Sequence, residues 1–203
     1  MVHVGLIPDG NRRYCRQNDL ELTYLPVVWL AMLTTLAEMA RQEPLDVTEL
    51  SLYVLSCENL SRDDGTPELV FDFLRQLDKH PHLNPATQTS LRFVFIGETT
   101  GIPADIRLLM TTWEHCTRTN PIRTNMALNY DARKDVQHAA DREQTQIDLI
   151  IRPGGEQRLS GFYPMHSLYS ELLFLPKLFP ECTYDDYKMA IDTYRQRSRR
   201  FGT

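Results

Sequence analysis

Short apolar runs suited to strands alternate down this chain with longer stretches of helical periodicity. Val2 to Ile7 reads as a first strand, Leu50 to Leu55 as a second and Leu91 to Ile96 as a third. Arg123 to Asn129, Ile147 to Ile151 and Glu171 to Leu175 supply a fourth, fifth and sixth. Pro26 to Arg41, Pro67 to Asp78, Pro103 to Thr117 and Tyr184 to Phe201 read as helices. The last carries Asp185 and Asp186 early and arginines late, as the helix dipole favours. On Pro67–Asp78, Leu69, Phe73, Leu74 and Leu77 form one apolar stripe. This alternation predicts an α/β domain: a mostly parallel central sheet of about six strands, flanked by helices. Such a sheet places its ligands at the carboxyl ends of the strands.

With 203 residues, the expectation is a single domain over 1–203. The net charge of −5 argues against a general nucleic-acid binder, although local arginine clusters still suit anionic ligands. The four cysteines form no C-x-x-C pair, which points to a reduced, cytoplasmic protein. His3 and Asp9 interrupt any signal-peptide core. The apolar stretch Val27–Ala37 is too short to span a bilayer, so no transmembrane segment is expected. His80 and His82 lie among prolines, and His115, His138 and His166 have no partner at a metal-ligand spacing.

Polar clusters follow three of the strands. After the first comes PDGNRRY, where Gly10 lets backbone approach a ligand and Arg12 and Arg13 offer charge-assisted bonds to phosphate. Asp9 repels phosphate unless magnesium sits between them. After the second strand comes SCENLSR, in which Ser56 and Asn59 could orient a diphosphate or a reacting group and Arg62 could hold charge. After the fifth comes RPGGEQRLS, whose Arg152, Arg158 and Ser160 could grip a second anion. Each cluster also has an ordinary reading: a D-G turn with solvated arginines, a helix N-cap, a glycine turn. Two anion sites on strand ends suit a transferase that joins two phosphorylated substrates.

HVGLIPDGNRRY resembles the opening motif of the cis-prenyltransferases, the family of undecaprenyl diphosphate synthase. LYVLSCENLSR resembles that family's second motif. DLIIRPGGEQRLSGFYPMHSLYSELLFLPKLFPE and RQRSRRFG resemble its last block. The similarity runs in order from His3 to Gly202. It implies a homodimer with an elongated hydrophobic tunnel, and magnesium-dependent condensation of an allylic diphosphate with isopentenyl diphosphate. By carry-over, Asp9 assists magnesium and ionisation, while Gly10, Asn11, Arg12 and Arg13 cradle the allylic diphosphate. Ser56 and Asn59 then sit near the reacting carbons, and Arg62 helps to hold phosphate. Arg152, Arg158 and Ser160 bind isopentenyl diphosphate, Glu171 matches a magnesium ligand, and Arg199 or Arg200 reaches into the partner subunit.

The sequence also departs from that pattern. Leu22 and Pro26 stand where the family normally supplies an arginine and a histidine, and Gln157 stands where a histidine usually precedes the second-site arginine. The stretch between Asn129 and Asp148 is shorter than the family norm. The cyclolavandulyl diphosphate synthase branch of the fold also lacks that arginine and histidine, and carries D-G-x-R-R. These features imply a short-chain or irregular prenyl diphosphate synthase, with Phe71, Phe73 and Leu74 as candidates to plug the tunnel. A terpene synthase or cyclase on the same fold, and a non-catalytic partner subunit, are the alternatives.

Overall fold

Each apolar run becomes a strand of one sheet in the computed structural model, which describes residues 1–41, 45–138 and 145–198. The strands are β1 (Val2–Leu6), β2 (Val47–Ser56), β3 (Leu91–Ile96), β4 (Ile122–Tyr130), β5 (Leu149–Pro153) and β6 (Glu171–Leu175). They lie in the order β3-β4-β2-β1-β5-β6, and every neighbouring pair is parallel. The helices are α1 (Asn11–Gln17), α2 (Leu25–Arg41), α3 (Cys57–Leu60), α4 (Thr66–Asp78), α5 (Ala104–Cys116), α6 (Ala132–His138) and α7 (Tyr184–Gln196).

Strand residues alternate between the two faces of the sheet. Val4, Leu6, Leu52, Met126 and Ile151 join the larger core with Leu33 and Leu36 of α2, Leu74 and Leu77 of α4, and Ile191 of α7. Ile7, Ala127 and Ile150 face the other way and pack on Tyr130, Phe162 and Tyr163. The latter face also holds a buried polar seam. His3 Nε2 lies 2.9 Å from Ser51 Oγ. Asn125 Nδ2 donates to Glu49 Oε1 and to Ser51 Oγ at 2.7 and 3.0 Å. Thr145 Oγ1 donates to Glu49 Oε2 at 2.6 Å.

The structure refines several readings. On α4 the buried residues are Val70, Phe71, Phe73, Leu74 and Leu77, while Leu69 is half-buried. α7 stops at Gln196 because Arg197 turns extended and donates to Glu171 Oε2 at 2.7 Å and to the Leu172 carbonyl at 3.1 Å. Counted from Leu22, the apolar window reaches Met39, and those 18 residues are long and apolar enough to cross a membrane. Here 44% of the window is buried in the protein, where α2 packs on α4, β2 and α7.

The strand order reverses at β1. The chain builds outward from β1 to β2 on one side, and returns to place β5 on the other. Open parallel sheets bind ligands at such a switch point, beyond the strand ends. PDGNRRY, SCENLSR and RPGGEQRLS follow β1, β2 and β5, three adjacent strands.

Candidate active site

The three loops enclose one polar pocket of about 750 Å³. It is lined by Asp9, Gly10, Asn11, Arg12 and Arg13 from the opening turn, by Ser56, Asn59 and Arg62 after β2, and by Arg152, Arg158 and Ser160 after β5. Six arginines, with Arg16 included, face two carboxylates, Asp9 and Glu58. The pocket is therefore strongly cationic within a chain of net negative charge.

Backbone geometry explains the glycines. Gly10 has φ +97°, a left-handed conformation unfavourable for other residues, and a Cβ there would lie 2.7 Å from Leu178 Cδ2. Gly154, at φ +100°, presses against the opening turn: a Cβ would meet Arg13 Nη2 at 2.9 Å and Asp9 backbone carbon at 3.1 Å. The Phe179 N–H donates to the Asp9 carbonyl at 2.9 Å, so loops after β5 and β6 clasp the turn after β1.

Asp9 is the electrostatic centre. Its Oδ2 accepts from Arg152 Nη2 at 2.8 Å, and its Oδ1 accepts from the Gly10 N–H at 2.6 Å and from Arg13 Nη2 at 3.4 Å. Partial burial pushes its carboxyl upward. The bonds from Arg152 and Gly10, with the charges of Arg152 and Arg13, outweigh that push and hold it below the usual carboxylate value. Asp9 is thus ionised at neutral pH.

Arg152 is only 4% exposed. Besides Asp9 it bonds the Arg158 carbonyl and, at 3.0 Å, Ser160 Oγ. Ser160 is held at φ +53°, a left-handed conformation that costs a non-glycine residue about 1 kcal/mol. Tyr53 secures it from the other side, donating to its carbonyl at 3.1 Å. Burial, and then the charge of Glu58, push the Tyr53 hydroxyl up to about 12, so it stays protonated.

Ser56 caps α3 by accepting from the Asn59 N–H at 3.1 Å, and both residues still line the pocket. Arg12 pairs with Asp64 at 2.9 Å, and Arg158 pairs with Glu156. Glu171 is not brought to Asp9 within one chain. It begins β6 in register with Leu149, which is itself opposite Val4, five residues before Asp9, and it pairs with Arg197. Arg199 and Arg200 lie outside the described residues. Among the described residues no three His, Cys, Asp or Glu side chains cluster as a metal site.

Sequence reasoning missed Arg16, Trp29 and Tyr53. Arg16 lies one turn beyond Arg12 on α1, a spacing that could have revealed it. Trp29 was hidden in an apolar helix, yet its indole N–H donates to Asn11 Oδ1 at 2.9 Å. It also lines a second, apolar cavity of about 80 Å³ together with Leu33, Leu36, Leu52, Phe73 and Met126. Pro8, Asn11, Trp29 and Tyr53 line both compartments. Of the candidate plugs, Phe73 reaches this cavity, whereas Phe71 and Leu74 belong to the core beside it.

An all-parallel sheet with a cationic pocket at its switch point, opening onto an apolar cavity, defines the cis-prenyltransferase architecture. The family model described as "Putative undecaprenyl diphosphate synthase" matches residues 7–146 and 141–202. The chain belongs to this family and is a prenyltransferase. It is 27% identical to the geranylgeranyl-diphosphate-specific tritrans,polycis-undecaprenyl-diphosphate synthase of Pyrobaculum aerophilum, over 99% of this chain and 95% of that one. It is 29% identical to an isoprenyl transferase of Campylobacter jejuni, over 100% and 98%. Lavandulyl diphosphate synthase from Lavandula x intermedia, solved with dimethylallyl diphosphate, shares the fold with a TM-score of 0.84 at 22% identity, over 99% of this chain and 98% of that one.

Proposed function

We propose that this enzyme ionises dimethylallyl diphosphate and couples it to a second isoprenyl diphosphate, giving a short product. The observation that carries this reading is the junction of the cationic pocket with an apolar cavity of about 80 Å³. A cavity of about 150 Å³ takes a six-carbon ring, so about half that volume takes a few carbons, and only together with the aperture that opens from it is there room for about one five-carbon unit. The diphosphate then lies among the arginines, the tail lies in the cavity, and the bond that breaks lies at the aperture.

In the reaction the allylic C1–O bond breaks and the electron pair leaves with the diphosphate. The second substrate's double bond attacks C1, and loss of a proton completes the product. Arg12, Arg13, Arg16 and Arg62 line the pocket and neutralise the departing charge. Arg152, Arg158 and Ser160 orient the second diphosphate. Gly10 and Asn11 cradle the first, with Ser56 and Asn59 beside the reacting carbons. Apolar walls keep water from the allylic cation.

Magnesium fits the donor set: one ionised carboxylate, Asp9, beside a pocket sized for phosphate oxygens and water, which magnesium ordinarily uses together. When bound it supplies added charge on the leaving diphosphate. Glu171 lies beside the exposed Leu168 and Tyr169, a surface suited to a second subunit of a homodimer. Free cysteines suit a cytoplasmic setting.

Leu22 and Pro26 favour irregular coupling of two dimethylallyl units as a second reading, because neither can bind phosphate. The test is mass spectrometry of products from purified protein, magnesium and dimethylallyl, geranyl or farnesyl diphosphate, with and without isopentenyl diphosphate. Short products confirm the reading, and dependence on isopentenyl diphosphate separates regular from irregular coupling. Products beyond about three isoprene units refute the size argument drawn from the cavity.

A further inference from the structure

The aperture between the two compartments has a feature that neither compartment needs alone. Trp29 is partly buried on α2, with its ring edge-on to Phe73 at 5.8 Å and 87°. Its indole N–H donates to Asn11 Oδ1 at 2.9 Å. Asn11 Nδ2 in turn donates to the Pro8 carbonyl at 3.0 Å, immediately before Asp9. One side chain therefore walls the tail cavity and, at the same time, holds an amide of the diphosphate turn.

We infer that Trp29 is the specificity-determining residue of this enzyme, and that it reads the length of the allylic tail and relays it to Asn11. This rests on the reading of the pocket as a prenyl diphosphate site. A five-carbon tail fits beside the indole and leaves its hydrogen bond intact. A fifteen-carbon tail exceeds the cavity and enters only by displacing the ring. Displacement breaks the bond to Asn11 and loosens the turn next to the breaking C1–O bond. The arginines still hold the diphosphate, so the long substrate binds but reacts slowly. Displacing the ring also costs binding, so discrimination appears in KM as well as in kcat.

Two variants separate the parts. Trp29→Phe keeps the ring and removes the N–H; Trp29→Ala removes both. With dimethylallyl and farnesyl diphosphates as donors, the native enzyme should favour the short donor at least tenfold in kcat. Trp29→Ala should shrink that preference at least fivefold and lengthen the products. Trp29→Phe should lose kcat severalfold on the short donor at little changed KM, while keeping product length. A Trp29→Ala preference within twofold of native, or a Trp29→Phe kcat equal to native, overturns the inference.

A binding arm stands apart from turnover. The other tryptophan, Trp113, is buried in the core. Binding of the unreactive dimethylallyl and farnesyl thiolodiphosphates is read by calorimetry, and ring displacement by tryptophan fluorescence. The farnesyl compound should change the native fluorescence more than the dimethylallyl compound. Trp29→Ala should bind the farnesyl compound at least tenfold tighter than native does. Equal fluorescence changes and unchanged affinity overturn the inference. A native enzyme inactive on every diphosphate removes the proposed reaction, and the binding arm still decides whether Trp29 reads the tail.

Discussion

Replacing Asp9 with asparagine keeps the side chain's shape and removes its charge. Arg152 is left nearly enclosed, with the Arg158 carbonyl and Ser160 Oγ as polar partners and no counter-ion. At 2.8 Å and an effective dielectric of about 20, the gross Coulomb attraction of the pair is about 6 kcal/mol. Desolvation cancels much of this, and breaking a fully buried pair costs about 3–5 kcal/mol. The Asp9 side chain retains 28% of its exposure, so water softens the loss below that range, to about 2 kcal/mol. For a chain of this size that is a fall of about 1 M in the urea midpoint, or of about 4–8 °C in Tm. The carboxyl is held below its unfolded value, so this stabilisation is present above about pH 4 and is lost as pH falls through the folded value. Urea titrations at pH 7 and pH 3.5 should show a gap between native and Asp9→Asn that begins to narrow in acid. Turnover should fall by at least a thousandfold at pH 7. A variant at least as stable as native at pH 7 would refute the account of Asp9 as the counter-ion of Arg152.

Gly10→Ala places a side chain at φ +97° against Leu178, and should cost about 1–3 kcal/mol in a urea titration while abolishing most activity. Inorganic pyrophosphate with magnesium should stabilise the protein by about 2.7 kcal/mol at a hundred times its Kd, read as a Tm shift that Arg13→Ala or Arg62→Ala reduces. His3 is kept neutral chiefly by burial, against the pull of Glu49 and Asp148, while unfolded chains take up its proton near pH 6.5. Stability is therefore lost as pH falls below 6.5. Between pH 6.5 and 5.5 the native protein should lose more stability than His3→Gln in urea titrations, by at most about 1 kcal/mol.

Apolar runs made the sheet legible, but its edges depend on contacts across strands. β2 begins at Val47, three residues before the apolar run, because Glu49 is buried in the seam with Asn125 and Thr145. A glutamate in sequence looks like solvent-facing chain until its partners, dozens of residues away, are in place. β5 starts at Leu149 rather than Ile147, whose side chain packs on the second core. The motifs announced Asp9, Asn11, Arg12, Arg13, Arg62 and Arg158, and the fold gathers them in one pocket. Two facts needed three dimensions. Arg152 is enclosed and paired with Asp9, and Trp29, an ordinary core residue by pattern, is tied to Asn11.

The central place of β1 has a kinetic consequence. β1 pairs with β2 from about Val47 and with β5 only from Leu149, so its second neighbour arrives after three-quarters of the chain. The Asp9–Arg152 contact closes a loop of 143 residues. Long-range parallel pairings of this kind form slowly, because loop-closure entropy is spent before the contact exists. During refolding, helical signal should return first and pyrophosphate binding last. An N-terminal fragment ending before Leu149 would carry the most recognisable motif of the chain and lack the strand that completes its pocket.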